Sequence, residues 1–152
     1  MLFRSVKAPK APAVKFAAFI PDYELKTQKA RGALPKMVAH KDAAYNLSRA
    51  ALMTASLFSG KLENLKIAAQ DKLHQPYRLR MIPGGKEAMA VSYELGAYAS
   101  YISGAGPTIM SMIDPDDLDF RGKALAALKK RGIQNVDVRI FQLDTQGATV
   151  TA

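Results

Sequence analysis

The sequence predicts an α+β fold: a ferredoxin-like antiparallel sheet covered by helices on one face, with further helices inserted. Three observations lead there. Strand-like and helical patterns follow one another in the order strand, several helices, strand, strand, helix, strand. A nearly bare run, Ser103-Gly104-Ala105-Gly106-Pro107, joins two of the strand-like segments. The final segment alternates Val136, Val138 and Ile140 with polar residues, as a half-buried strand does.

The elements follow in order. Residues 1–13, with Pro9 and Pro12 among lysines and alanines, read as a flexible lead-in. Val14 to Ile20 is apolar and ends at Pro21-Asp22, which marks a buried strand. A short helix is expected from Thr27 to Leu34, stopped by Pro35. Asp42 is expected to cap a long helix whose apolar stripe is Ala43, Leu47, Ala50, Ala51, Ala55 and Phe58, with Gly60 as its stop. The next helix is expected from Leu62 to Leu73 and is broken by Gln75-Pro76.

Pro83 suits the first turn of a further helix carrying Ala88, Val91 and Leu95 on one face, and Gly96 ends it. Strands at Tyr98–Ile102 and Thr108–Ile113 flank the glycine run. Asp116 or Asp117 is expected to cap a helix reaching Arg131, whose last turn holds Lys129 and Lys130, favourable to the helix dipole. Residues 144–152 read as a loose tail, so the organised domain is residues 14–143.

Bulk properties narrow the function classes. The chain has no cysteine, which excludes a disulfide scaffold and any thiolate metal site. No apolar run reaches the roughly 20 residues needed to span a bilayer, and the first residues lack the apolar core of a signal peptide, so a cytoplasmic protein without membrane contact is expected. The formal charge of +9 favours anionic partners. The basic residues form no dense tract, however, and nucleic acid is not the expected partner.

The glycine run carries the first functional signal. Glycine reaches positive φ without a Cβ clash, so such a loop turns tightly and presents bare amides to an anion. A simple hairpin turn is the bland alternative. The second signal is Gln70-Asp71-Lys72-Leu73-His74-Gln75-Pro76-Tyr77-Arg78. Here His74 is read as a hydrogen-bonded structural residue in preference to a general base, and His40 as an exposed loop residue. Two separated histidines without carboxylates at matching spacing do not suggest a metal site. Asn46 reads as structural, and Tyr45, Phe58, Tyr93 and the methionines as core.

Joined by Ile20 to Arg31, Asn46 to Leu52, and Ile82-Pro83-Gly84, these runs resemble, in order and spacing, the carboxyl-terminal half of the bacterial homoserine kinase family. That family lies within the small-molecule kinases that include galactokinase and mevalonate kinase. The resemblance implies ATP-dependent phosphorylation of the L-homoserine hydroxyl on the route to threonine. It implies substrate-binding roles for Arg31 and Arg78 on the amino acid's carboxylate, for Thr27 one helical turn before Arg31, and for Ser103, Gly104 and Gly106 through the main chain. A guanidinium suits that task because it grips a carboxylate by two parallel N–H bonds.

Catalytic residues, ATP and Mg2+ belong, by the same resemblance, mainly to an amino-terminal half that is absent here. No Walker-type loop occurs in the chain, and the chain alone is expected to be inactive. Gly85 departs from the bulky apolar residue usual in the family. Two rival readings are a basic ferredoxin-like RNA-binding module and a dimerisation or structural half-domain, with a homodimer as one form of the latter.

Overall fold

The computed structural model describes residues 6–147. Residues 1–5 of the expected lead-in and 148–152 of the expected tail lie outside the described residues. Strand β1 (Lys15–Pro21) is followed by α1 (Thr27–Gly32), α2 (His40–Ser59), a 3-10 turn (Leu62–Asn64), α3 (Leu65–Ala68), α4 (Gln75–Arg78), a second 3-10 turn (Leu79–Met81) and α5 (Gly85–Glu94). Then come β2 (Ala99–Ile102), β3 (Ile109–Ile113), α6 (Phe120–Lys130) and β4 (Val136–Phe141).

The strands form one antiparallel sheet in the order β2-β3-β1-β4. Taken in chain order with α5 and α6 as the two crossover helices, this is the ferredoxin-like arrangement, and the α+β expectation holds. Because successive side chains alternate faces, Ala17 and Phe19 of β1 point one way and Phe16 and Ala18 the other. On the first face Phe19, Ile109, Ile113 and Val138 pack with Val91 of α5 and with Phe120, Ala124 and Leu128 of α6. Phe19 and Phe120 meet edge to face at 6.4 Å. On the second face Phe16, Ala99, Met112 and Tyr101 pack with Leu65 of α3 and with Met53 and Leu57 of α2. The inserted helices α2 and α3 therefore occupy the face opposite α5 and α6, while α1 joins the first core through Ala30.

A chain of hydroxyls crosses the first core. Ser111 Oγ of β3 lies 2.8 Å from Ser92 Oγ of α5 and 2.9 Å from Ser100 Oγ of β2. Ser92 donates onward to Ala88 O at 2.9 Å, so the three hydroxyls of this chain all have partners.

Several local expectations are corrected. The segment expected as one helix from Leu62 to Leu73 is a 3-10 turn plus the four-residue α3, and a new helix, α4, begins where a break was expected. Asp71 side-chain oxygens accept the amides that open α4, and Pro76 fits its first turn, where a missing N–H costs nothing. Residue Ala39 stands at the N-cap of α2, while Asp42 pairs with Lys72 at 3.3 Å. Asp119 precedes α6, and Asp117 instead accepts the Asp119 amide at 3.1 Å and pairs with Lys123 at 2.9 Å.

The apolar stripe of α2 faces outward, with Leu47 74% exposed and Phe58, expected in the core, 41% exposed. Its buried side is the neighbouring one, around Ser56. Tyr45 does not enter the core either: Arg49 and Lys72 each stand 4.4 Å from its ring centroid.

Replacing Phe19 with Ala removes a side chain in contact with both crossover-helix packing and the sheet. The expected loss is about 3–5 kcal/mol of unfolding free energy, read from the urea midpoint at unchanged m-value.

Candidate functional site

The site is an open cleft of about 530 Å³ between α1, α4 and the loop after β2. Helix α1 is anchored by Ala30, which is fully buried. Thr27 and Arg31, four residues apart, share the face turned to the cleft and both line it. Arg78, the last residue of α4, enters from the opposite wall. Gly104 and Ala105 form the third side, with Ile102 and His74 completing the lining.

Arg78 links the walls. Its Nε donates to Ala30 O at 3.3 Å and its Nη1 to Gly104 O at 2.8 Å. Neither Arg31 nor Arg78 has a carboxylate partner among the described residues. Two uncompensated guanidinium groups on one concavity favour a small anion, and a carboxylate matches their planar fork. A second open cleft of about 440 Å³, near Pro21, Asp22, Gly84 and Asn135, is lined by no lysine or arginine and has no such preference.

Behind the cleft lies Asp71, its side chain only 7% exposed. Its Oδ2 accepts the amides of His74 at 2.8 Å and Gln75 at 2.6 Å, and its Oδ1 accepts Asn46 Nδ2 of α2 at 2.5 Å. Asn46 Oδ1 in turn accepts the Lys72 amide at 2.9 Å. Burial pushes the Asp71 carboxyl up, but these hydrogen bonds together with the adjacent His74 outweigh it and hold the group below the ordinary carboxylate range. His74 Nε2 lies 3.9 Å from Asp71 Oδ1, and His74 Nδ1 is buried without a partner among the described residues. Gln75 ties the same turn to the sheet: Oε1 accepts the Ile102 amide at 3.0 Å and Nε2 donates to Ala69 O at 3.1 Å.

Thr27, Arg31, Arg78 and Gly104 are thus brought together, while Ser103 and Gly106 do not line the cleft. Both of the latter spend their amides inside the turn: Ser103 N donates to Thr108 O and Gly106 N to Ser103 O, each at 2.9 Å. At Gly106, with φ +86°, a Cβ would come within 2.8 Å of Ile82 Cδ1 and 3.3 Å of Ile102 Cγ2. Glycine is favoured there by the positive φ, with Ile82 and Ile102 crowding any added Cβ. Around Gly104 a Cβ would meet nothing within 4 Å, although φ is +56°.

His74 does more than a structural residue away from the cleft would: it lines the cleft and faces Asp71. The signal for Asp71 was present in the sequence, an aspartate three and four residues ahead of the two amides that open a Pro-containing helical turn. Asn46 is structural, as expected, and its partner is that aspartate.

Sheet order and cleft together define a ferredoxin-like domain that sets two arginines without carboxylate partners beside a glycine turn. Residues 43–133 match the family described as GHMP kinases C terminal, and the chain belongs to that family. A homoserine kinase of Clostridium beijerinckii is 47% identical over 137 residues, which is 90% of this chain and 46% of that protein. The homoserine kinase of Aquifex aeolicus is 37% identical over 95% of this chain and 48% of its own length. Among solved structures, homoserine kinase from Cytophaga hutchinsonii superposes with a TM-score of 0.81 at 27% identity, over 93% of this chain and 45% of that one. The chain spans about half the length of these relatives.

Two outcomes are expected. Gly106→Ala lowers the melting temperature by at least as much as Gly104→Ala, because it meets Ile82 as well as an unfavourable φ. Parallel thermal melts of the two variants check this.

The second concerns acid. Asp71 has a folded pKa below its unfolded one, near 3.9, so the unfolded state binds the extra proton between the two values. The stability it contributes is full above the unfolded value and is lost as pH falls through the folded value. Asp71→Asn is therefore expected to flatten the decline of melting temperature below about pH 4, measured by calorimetry.

Proposed function

We propose that this chain is the carboxyl-terminal domain of a homoserine kinase, serving ATP-dependent phosphorylation of the L-homoserine hydroxyl in threonine biosynthesis, in the cytoplasm. The observation that carries the reading is the cleft that Arg31 and Arg78, neither neutralised by a carboxylate among the described residues, line together with Thr27 and Gly104. In this reading the two guanidinium groups hold the substrate carboxylate and Thr27 Oγ1 hydrogen-bonds the same amino acid. The bracing of Arg78 by Ala30 O and Gly104 O sets the angle at which that carboxylate is received. The share of catalysis supplied here is orientation: a substrate fixed at one end presents its hydroxyl at a constant distance from the phosphoryl donor.

ATP and Mg2+ enter this reading as groups of the complete enzyme, held mainly by the amino-terminal half present in the relatives. ATP supplies the phosphoryl group, and Mg2+ neutralises charge on it. The 152-residue chain by itself is then a binding domain without turnover. The RNA-module alternative loses its platform, because α2 and α3 cover the sheet face on which such modules stack bases.

A second reading, a domain that also associates through α2, is favoured by one observation: Leu47 and Phe58 lie on an outward face. A homodimer is one form of it, and sedimentation of the chain distinguishes monomer from dimer.

The test of the main reading uses this domain joined to the amino-terminal half of the Clostridium beijerinckii relative. The hybrid phosphorylates L-homoserine, and Arg78→Ala reduces kcat/KM by about 2–4 kcal/mol, the scale for removing one member of a desolvated charge pair. Unchanged kinetics in the variant, or ATP turnover on L-homoserine by the purified chain alone, would overturn it.

A further inference from the structure

We infer that Asp71 is a positioning residue for the cleft: its buried carboxylate sets the direction in which α4 presents Arg78 and the rotamer in which His74 lines the wall. The inference deepens the proposed function and rests on it for the identity of the ligand.

A helix of four residues does not stand by its own hydrogen bonds, because nucleation costs more than one turn returns. Nor is α4 held by a broad apolar face; Gln75 is its only buried residue. Its orientation is therefore set by polar anchors at its start. Asp71 accepts both opening amides on one oxygen and takes Asn46 of α2 on the other, so a single carboxylate joins α2 to the first turn of α4. Gln75 carries the connection into β2, at the residue directly before the glycine run. Arg78 closes the circuit by reaching Ala30 O of α1 and Gly104 O of that run. Each wall of the cleft is thus referenced to the same carboxylate.

The charge of Asp71 adds a second effect. It sits behind His74, 3.9 Å from Nε2, and makes no ion pair with Arg78. The arginines stay free for an external carboxylate while Asp71 stands beside the imidazole without hydrogen-bonding to it. A buried carboxylate is costly unless its oxygens are satisfied, and here three donors satisfy them. A neutral cap would open a helix at less cost. What the charged one adds is a fixed geometry.

The test follows the Nε–H of Arg78 by nitrogen-15 NMR in the 152-residue chain, with the Nε–H of Arg121, which donates to Val138 O at 2.7 Å at the opposite edge of the sheet, as an internal reference. In Asp71→Ala, hydrogen exchange at Arg78 Nε is expected to accelerate at least tenfold while Arg121 Nε is unchanged, and Asp71→Asn is expected to recover part of the protection. Acceleration at both arginines to the same degree marks general loss of stability and overturns the inference, as does an unchanged Arg78 signal. If Asp71→Ala does not fold, Asn46→Ala is read instead. It removes one donor to the carboxylate, and a severalfold faster exchange confined to Arg78 supports the inference while none refutes it.

Titration with L-homoserine separates this from the proposed function. Wild type that binds, with affinity reduced about tenfold in Asp71→Asn, supports both. Wild type that does not bind counts against the substrate, while the Arg78 exchange still decides the role of Asp71.

Discussion

Strands β1 and β3 are buried on both faces, and the position of every other element follows from that. A strand covered on one side leaves the second face to solvent, but here Ala17 and Phe19 meet α5 and α6 while Phe16 and Met112 meet α2 and α3. The two helix layers clamp the sheet, and the clamp places the end of β2 beside α1. The glycine run then emerges where α4 can reach it. Loss of either layer would release one side of the cleft, since α1 is tied to the first core through Ala30 and α4 to the second layer through Asn46.

Apolar packing makes the frame, but polar contacts make the site. The cleft-forming turn α4 is held by Asp71, Asn46 and Gln75, residues whose hydrogen bonds have direction as well as strength. The division of charge is equally consequential. The chain carries a formal charge of +9, yet its buried carboxylate is spent on backbone amides and a histidine. That arrangement leaves Arg31 and Arg78 unneutralised in a concave setting, where solvent screens them less than on an open surface. The glycine turn contributes shape more than chemistry: Gly106 serves the contact with Ile82 and Ile102, and only Gly104 and its neighbour Ala105 face the open space.

Helix α2 shows how one element can serve two neighbours. Its Met53 and Leu57 side joins the sheet, its Asn46 joins the site, and Leu47 with Phe58 points away from both. Periodicity found the apolar stripe on α2, but Phe58 at its end, read as core, is exposed. A helix that is apolar on more than one side gives no internal reason to choose which side is buried. The sheet made that choice.

What the sequence determined by itself was set by short-range physics. An apolar run marked β1 and alternation marked β4, glycines and prolines marked the ends of α2, α5 and the connection between β2 and β3, and the family resemblance of the runs around Thr27–Arg31 and Gln70–Arg78 pointed to residues that meet in the cleft. Helix breaking was where local rules failed: Pro76 signalled a stop, but a carboxylate five residues earlier turned it into a start. The tertiary structure decided that Gly106 lies against Ile82, that α2 and α3 cover the second face, and that Asn46 reaches Asp71 behind His74. These outcomes depend on groups far apart in sequence meeting in space, as Asn46 and Asp71, 25 residues apart, do. No local propensity encodes such a meeting, because its free energy appears only when the whole sheet has closed.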